Sequence, residues 1–162
     1  MHLAQIWTAT SAKSPVNHHS SADLEKHRGI VGDRYHSRTG SFSTFEHSGR
    51  PITLISFEAL IAVHKEHGLD LLAHGLHRRN LVISDCASLD LTELMNQRFQ
   101  IGTAILMGMQ PAHPCRFLEK TAPPGTYDAL RHCGGIRADV LKDGTINCGD
   151  AIQLLGTPRR LP

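Results

Sequence analysis

"RFQIGTAILMGMQ", residues 98–110, decides the fold class of this chain. Aromatic and branched apolar residues stand on both sides of Ile101-Gly102-Thr103. That composition suits a pleated, half-buried surface, and the glycine interrupts it. The stretch reads as two strands joined by a short turn.

Similar short runs lie outward from it. "LAQIWTA" (3–9), ending before Ser14-Pro15, "PITLIS" (51–56) and "RRNLVIS" (78–84) are strand candidates. "RADVLKDGTINCGDAIQLL" (137–155) reads as strand, turn, strand, and Lys142-Asp143-Gly144 has tight-hairpin chemistry. Residues 18–40 are polar and punctuated by glycine, so they read as loop with a short strand near 24–28. Residues 38–50 lack periodicity and read as a candidate mobile loop. "SFEALIAVHKEHG" (56–68) is the best helix. Ser56 caps it, Ala59, Leu60, Val63 and His64 share a face, and Gly68 stops it. A short turn or helix is expected around Leu91–Met95, and another short helix over 124–132. Many short strands and two or three short helices predict a mainly β fold, a compact β-barrel, rather than an α/β sandwich.

The chain has 162 residues, enough for one domain, and 1–162 reads as a single unit. Hydrophobic residues make up 40% and charged residues 20%, a globular composition. A net charge of +2 gives no argument for nucleic acid. No apolar run approaches the ~18 residues of a membrane span, and the N-terminus lacks the pattern of a signal peptide. A cytoplasmic protein with reduced thiols is therefore expected. The four cysteines, Cys86, Cys115, Cys133 and Cys148, form no CxxC pair. For most of them the plain reading is a small buried apolar residue. The His pairs His64/His67, His74/His77 and His18/His19 come with no acidic third ligand, and no HExxH, Walker A, GxSxG or dinucleotide fingerprint occurs.

Three stretches carry chemistry. In "AHPCR" (112–116), Cys115 is flanked by His113 and Arg116, and neighbouring cations favour the reactive thiolate. Pro114 favours a loop after a strand. Taken alone, such a cysteine is more often incidental than catalytic. In "GIVGDRYH" (29–36), Arg34 suits a phosphate or carboxylate, the plainer alternative being a surface pair with Asp33. In "HRRNLVI" (77–83), strand alternation puts Arg78 and Asn80 on one face and Arg79 on the other. A guanidinium and a carboxamide pointing together could clamp an anion and a heterocycle. A solvated basic strand end is the plainer alternative.

Taken in order, "GIVGDRYH", "PITLISFEAL", "HRRNLVI", "IGTAILMGMQPAHPCRFLE" and "GGIRADVLKDGTINCGDAIQL" resemble the MOSC family, the molybdenum cofactor sulfurase C-terminal domain. The likeness runs from about residue 3 to residue 155. It implies a β-barrel of the pyruvate-kinase-barrel type and a single functional cysteine, Cys115. In the family that residue ligates molybdenum or carries sulfur as a persulfide. Relatives of the first kind reduce N-hydroxylated compounds with a bound molybdenum cofactor (molybdopterin). The resemblance carries over Arg78 and Asn80, then Arg34, Lys13 and Ser14 of "AKSP", and Arg137, as cofactor-binding residues. His113 would tune the thiol or shuttle a proton. An external electron donor would serve a reductase, and a cysteine desulfurase would serve a sulfur carrier. Pyridoxal phosphate binding belongs to the family's description only at the level of the family.

Overall fold

A computed structural model describes residues 1–41 and 49–156. Of the 38–50 loop, residues 42–48 lie outside the described residues. The strands are β1 (His2–Thr8), β2 (Asn17–His19), β3 (Ser21–Glu25), β4 (Gly29–Ile30), β5 (Ile52–Ser56), β6 (Leu81–Ser84), β7 (Arg98–Ile101), β8 (Ala104–Pro111), β9 (Ile136–Lys142), β10 (Gly144–Asn147) and β11 (Ile152–Leu154). The helices are α1 (Phe57–His67), α2 (Arg116–Thr121) and α3 (Thr126–Ala129).

The stretch that opened the reading behaves as expected. β7 and β8 pair antiparallel, with Ile101 opposite Ala104 across the Gly102 turn. They belong to an eight-stranded sheet in the order β11-β7-β8-β9-β5-β6-β1-β2. A three-stranded sheet, β10-β3-β4, lies beside it. The fold is mostly β with three short helices. The ladder does not close into a continuous barrel. β1 touches the segment just before β11 through an isolated bridge between His2 and Ala151, with Leu3 N–H donating to Asp150 O at 2.9 Å.

β5 and β6 run parallel in the middle of the sheet and are covered on both faces. Ile52, Leu54, Leu81 and Ile83 enter the larger core with Leu3, Ile6, Phe99 and Val140. Ile55 and Val82 point the other way, into a second core with Trp7, Leu60, Val63, Leu118 and Leu130 beneath the helices. α1 holds the second core in place. Ser56 Oγ accepts from Ala59 N–H at 3.1 Å, and Gly68 ends the helix in the left-handed conformation. His64 is exposed, so the buried face of α1 is Ala59, Leu60 and Val63.

Several local expectations change. The strand expected near 24–28 is two strands, β3 and β4, around a turn at 26–28, and β2 was not foreseen. Leu24 is the one deeply buried residue of β3, so hydrophobic alternation is nearly absent there. Asp143-Gly144 makes no hairpin. β9 pairs with β5 and β8, whereas β10 leaves for β3, with Ile146 opposite Ala22. Asp143 Oδ1 instead accepts from Lys26 N–H at 2.6 Å. A Cβ on Gly144 would come within 2.3 Å of Ala104 N, so close backbone passage explains the glycine. The helix expected over 124–132 shortens to α3, and α2 forms directly after Cys115.

Candidate functional site

The outward face of β5 and β9 supplies the floor of a cleft. Thr53 pairs with Arg137 across these strands, and both residues line the cleft. Their neighbours Ile52, Leu54, Ile136 and Ala138 point into the core, so the pleat turns Thr53 and Arg137 outward. Arg34 and Tyr35 form one wall, Arg78 and Arg79 another, and His113, Cys115 and Phe117 a third. The space between them is about 570 Å³, part of it open to solvent.

Cys115 reaches this cleft from a loop. β8 ends at Pro111, opposite Ile136, three residues before the expected stop at Pro114. Ala112 N–H then donates to Gly135 O at 2.8 Å, and Cys115 sits in extended backbone immediately before α2. The four thiols are free and half-buried. Three of them bond to backbone carbonyls: Cys86 to Ile83, Cys133 to Ala129 and Cys148 to His19. Burial pushes Cys86 up to about 12, with Glu58 adding to the effect, and it also raises Cys133 and Cys148. Those three match the plain reading of inert thiols. The Cys115 sulfur has no hydrogen-bond partner among the described residues, and it alone of the four lines the cleft.

Four arginines surround it: Arg34, Arg78, Arg79 and Arg137. Arg34 lies 3.3 Å from the fully buried carboxylate of Asp33, which also accepts from Ala9 N–H at 2.9 Å. Arg34 also donates to Arg78 O at 3.3 Å. Arg78 donates to Ser14 O at 3.0 Å and Ala12 O at 2.8 Å, which ties the 12–14 loop to the cleft wall. Burial and then Arg34 lower its pKa. Arg79 donates through Nε to Gly134 O at 2.9 Å and through Nη2 to Ala112 O at 2.8 Å. Burial, and next the charge of Arg137, bring its pKa down to about 10.

The expected face-sharing of Arg78 and Asn80 does not occur. Arg78 takes a left-handed φ of 54°, and the strand begins only at Leu81, so alternation does not reach back to Arg78. Arg79 joins Arg78 in the cleft. Asn80 is fully buried, and its carboxamide is used inside the protein. Its Oδ1 accepts from Thr53 N–H at 3.1 Å and Thr53 Oγ1 at 2.9 Å, and its Nδ2 donates to Trp7 O at 3.2 Å. Asn80 thus ties three central strands together. Lys13 is exposed and does not line the cleft. Ser14 is half-buried and bonds Ser11 Oγ at 2.6 Å. His113 is exposed at the cleft's edge. Arg137 lies in the floor. Arg79, Tyr35 and Thr53 are cleft residues that the sequence reading missed. The doubled arginine was visible, but its backbone conformation was not. Among the described residues, no group of three or more His, Cys, Asp or Glu could hold a metal ion.

The site is a half-buried thiol among arginines in a cleft on a mainly β fold. The chain belongs to the MOSC domain family, whose model matches residues 11–153. Solved structures agree on the fold. The YuaD protein from Bacillus subtilis superposes with a TM-score of 0.75 at 19% identity, covering 94% of both chains. YiiM from Geobacillus stearothermophilus gives 0.70 at 14% identity, covering 98% of this chain and 77% of that one. YiiM from Escherichia coli gives 0.66 at 15% identity, covering 97% and 71%. Comparison with curated protein sequences finds no significant match. The family is associated with the molybdenum cofactor. Among the described residues no helix is long and apolar enough to cross a membrane.

Proposed function

We propose that this chain binds the molybdenum cofactor in the arginine-lined cleft and serves the reduction of N-hydroxylated substrates. The observation that carries this reading is the placement of Cys115 with four arginines around one cleft. The donor set fits the group. A protein thiolate is a suitable soft ligand for molybdenum, and guanidinium groups suit a phosphate. Arg137 Nη1, buried and without a partner among the described residues, is a donor awaiting an acceptor.

Cys115 would be the protein ligand to the metal. Arg34 and Arg78 would neutralise the phosphate, with Lys13 and Ser14 on the adjoining loop. The cofactor, when bound, supplies the two-electron chemistry of the reduction. The protein's part is orientation and charge. Phe117 carries Arg78 over its ring at 5.8 Å and closes one side of the cleft with Leu118. His113, exposed at the edge, would deliver a proton to an oxygen leaving the substrate. Electrons come from a separate donor protein, and the cytoplasm is the compartment this chemistry implies. In this reading residues 1–162 work as one domain.

Metal analysis and intact mass test the reading on protein made in a host that synthesises the cofactor. Near-stoichiometric molybdenum is expected in the wild type and in Cys86→Ser, and its loss is expected in Cys115→Ala. Absence of molybdenum with a gain of ~32 Da confined to Cys115 would replace the reductase reading by that of a persulfide carrier. Absence of both signals would overturn both.

A further inference from the structure

A second cleft, of about 550 Å³ and partly open to solvent, adjoins the first and shares His113 with it. Its wall on that side is made of two backbone segments, Ala112-His113 after β8 and Gly134-Gly135 before β9. Arg79 lines the Cys115 cleft and not this one. It grips the wall from the Cys115 side, donating to Ala112 O at 2.8 Å and Gly134 O at 2.9 Å. No peptide bond among the described residues is cis. In a trans unit the C=O and the following N–H point in opposite directions. The N–H groups of His113 and Gly135 are therefore turned away from Arg79, toward the second cleft. Neither donates a hydrogen bond among the described residues. Gly135 is buried, and a buried N–H without an acceptor is uncommon.

We infer that this second cleft binds the carboxylate of a small acid with an apolar body, the N–H groups of Gly135 and His113 accepting it as donors. Two segments fixed side by side present these donors, since Ala112 N–H also bonds Gly135 O at 2.8 Å. Successive or neighbouring backbone N–H groups that face one space form an anion-binding concavity. Arg131, exposed just after α3, lines the same cleft and supplies the opposite charge. Met95 and Pro111 supply apolar surface for the body of the ligand. Asp90 is the one acidic side chain in the lining, and it favours a singly charged carboxylate over a doubly charged phosphate. The site lies on the far side of the wall from Arg79, and its occupant would sit against the segment that leads two residues later to Cys115. The inference does not rest on the molybdenum reading, because it concerns another cleft and is tested on protein free of cofactor.

The experiment is an NMR titration of the full chain, made without cofactor, with sodium 3-phenylpropionate. Gly134-Gly135 is the one Gly-Gly step in the sequence, so selective glycine labelling assigns the Gly135 amide. Its resonance should shift saturably with 3-phenylpropionate, and not with the neutral 3-phenylpropanamide or with sodium chloride at equal ionic strength. Arg131→Gln should weaken binding about fivefold to tenfold, and Asp90→Asn should tighten it about twofold. Arg116→Gln changes an exposed arginine outside both linings and should leave the affinity unchanged. Sodium acetate separates the sources of the carboxylate. Tighter binding of 3-phenylpropionate than of acetate supports an acid with an apolar body, whereas equal affinity would overturn that part of the assignment. A Gly135 amide that neither acid moves, that the amide or chloride moves equally, or whose titration is unchanged in Arg131→Gln, would overturn the inference.

Discussion

His77 should make this protein acid-sensitive well above the range in which carboxylates titrate. Its ring is fully buried, edge-on to Trp7 with centroids 6.3 Å apart. Nδ1 accepts from Arg79 N–H at 3.0 Å, so the proton of the neutral ring sits on Nε2, which is buried without a partner among the described residues. Protonation would put a charge into the second core, close to Arg79. Burial, and next Arg79, hold the pKa down to about 3, from an ordinary value of 6.5. The sign follows from linkage. The unfolded chain takes up a proton below pH 6.5 and the native state does not, so stability is lost as pH falls from 6.5 toward 3. At pH 5 the loss is about 2 kcal/mol, and it reaches about 4 kcal/mol at pH 3. The pH 5 figure hardly changes if the native pKa moves by a unit, because the native ring stays neutral either way. His77→Asn keeps an acceptor for Arg79 N–H and removes the titration. Urea unfolding of both proteins at pH 7 and pH 5 measures the effect. The wild type should lose about 2 kcal/mol more than the variant between the two pH values, whatever the variant's stability at pH 7. Equal losses would refute the assignment of a buried neutral imidazole.

Two further substitutions test the frame of the site. Gly135 has φ +83°, and a Cβ there would lie 1.9 Å from Leu54 O, so Gly135→Ala should cost about 3 kcal/mol or more in chemical denaturation. A cost below ~1 kcal/mol would show that β5 and the start of β9 do not pass this closely. Asn80→Ala strands the Thr53 hydroxyl and N–H and the Trp7 carbonyl in the core, so its unfolding free energy should fall by about 2–4 kcal/mol. In the same variant, the molybdenum content of the folded fraction should persist, since Asn80 does not line the cleft. Loss of binding at unchanged stability would return Asn80 to the role of a ligand clamp.

The sequence by itself determined the elements whose chemistry is local. Short β-branched runs specified β1, β5, β7 and β8, and Ser56 and Gly68 specified both ends of α1, because strand propensity and helix caps act between near neighbours. The order of short motifs specified the MOSC family. Tertiary structure decided what depends on contacts distant in sequence. β10 left the Asp-Gly turn for β3 because Ile146 and Leu24 could be buried in one core, a pairing that no local pattern announces. Whether the sheet closed was also decided there, and it stays open, with one isolated bridge between His2 and Ala151. Asn80 and Arg79 exchanged their expected places because the backbone at Arg78 turns left-handed, and one such residue breaks the two-residue alternation on which side-chain facing is read. A sequence lists its arginines and cysteines. Which of them share a cleft follows from backbone geometry and burial that only the folded chain possesses.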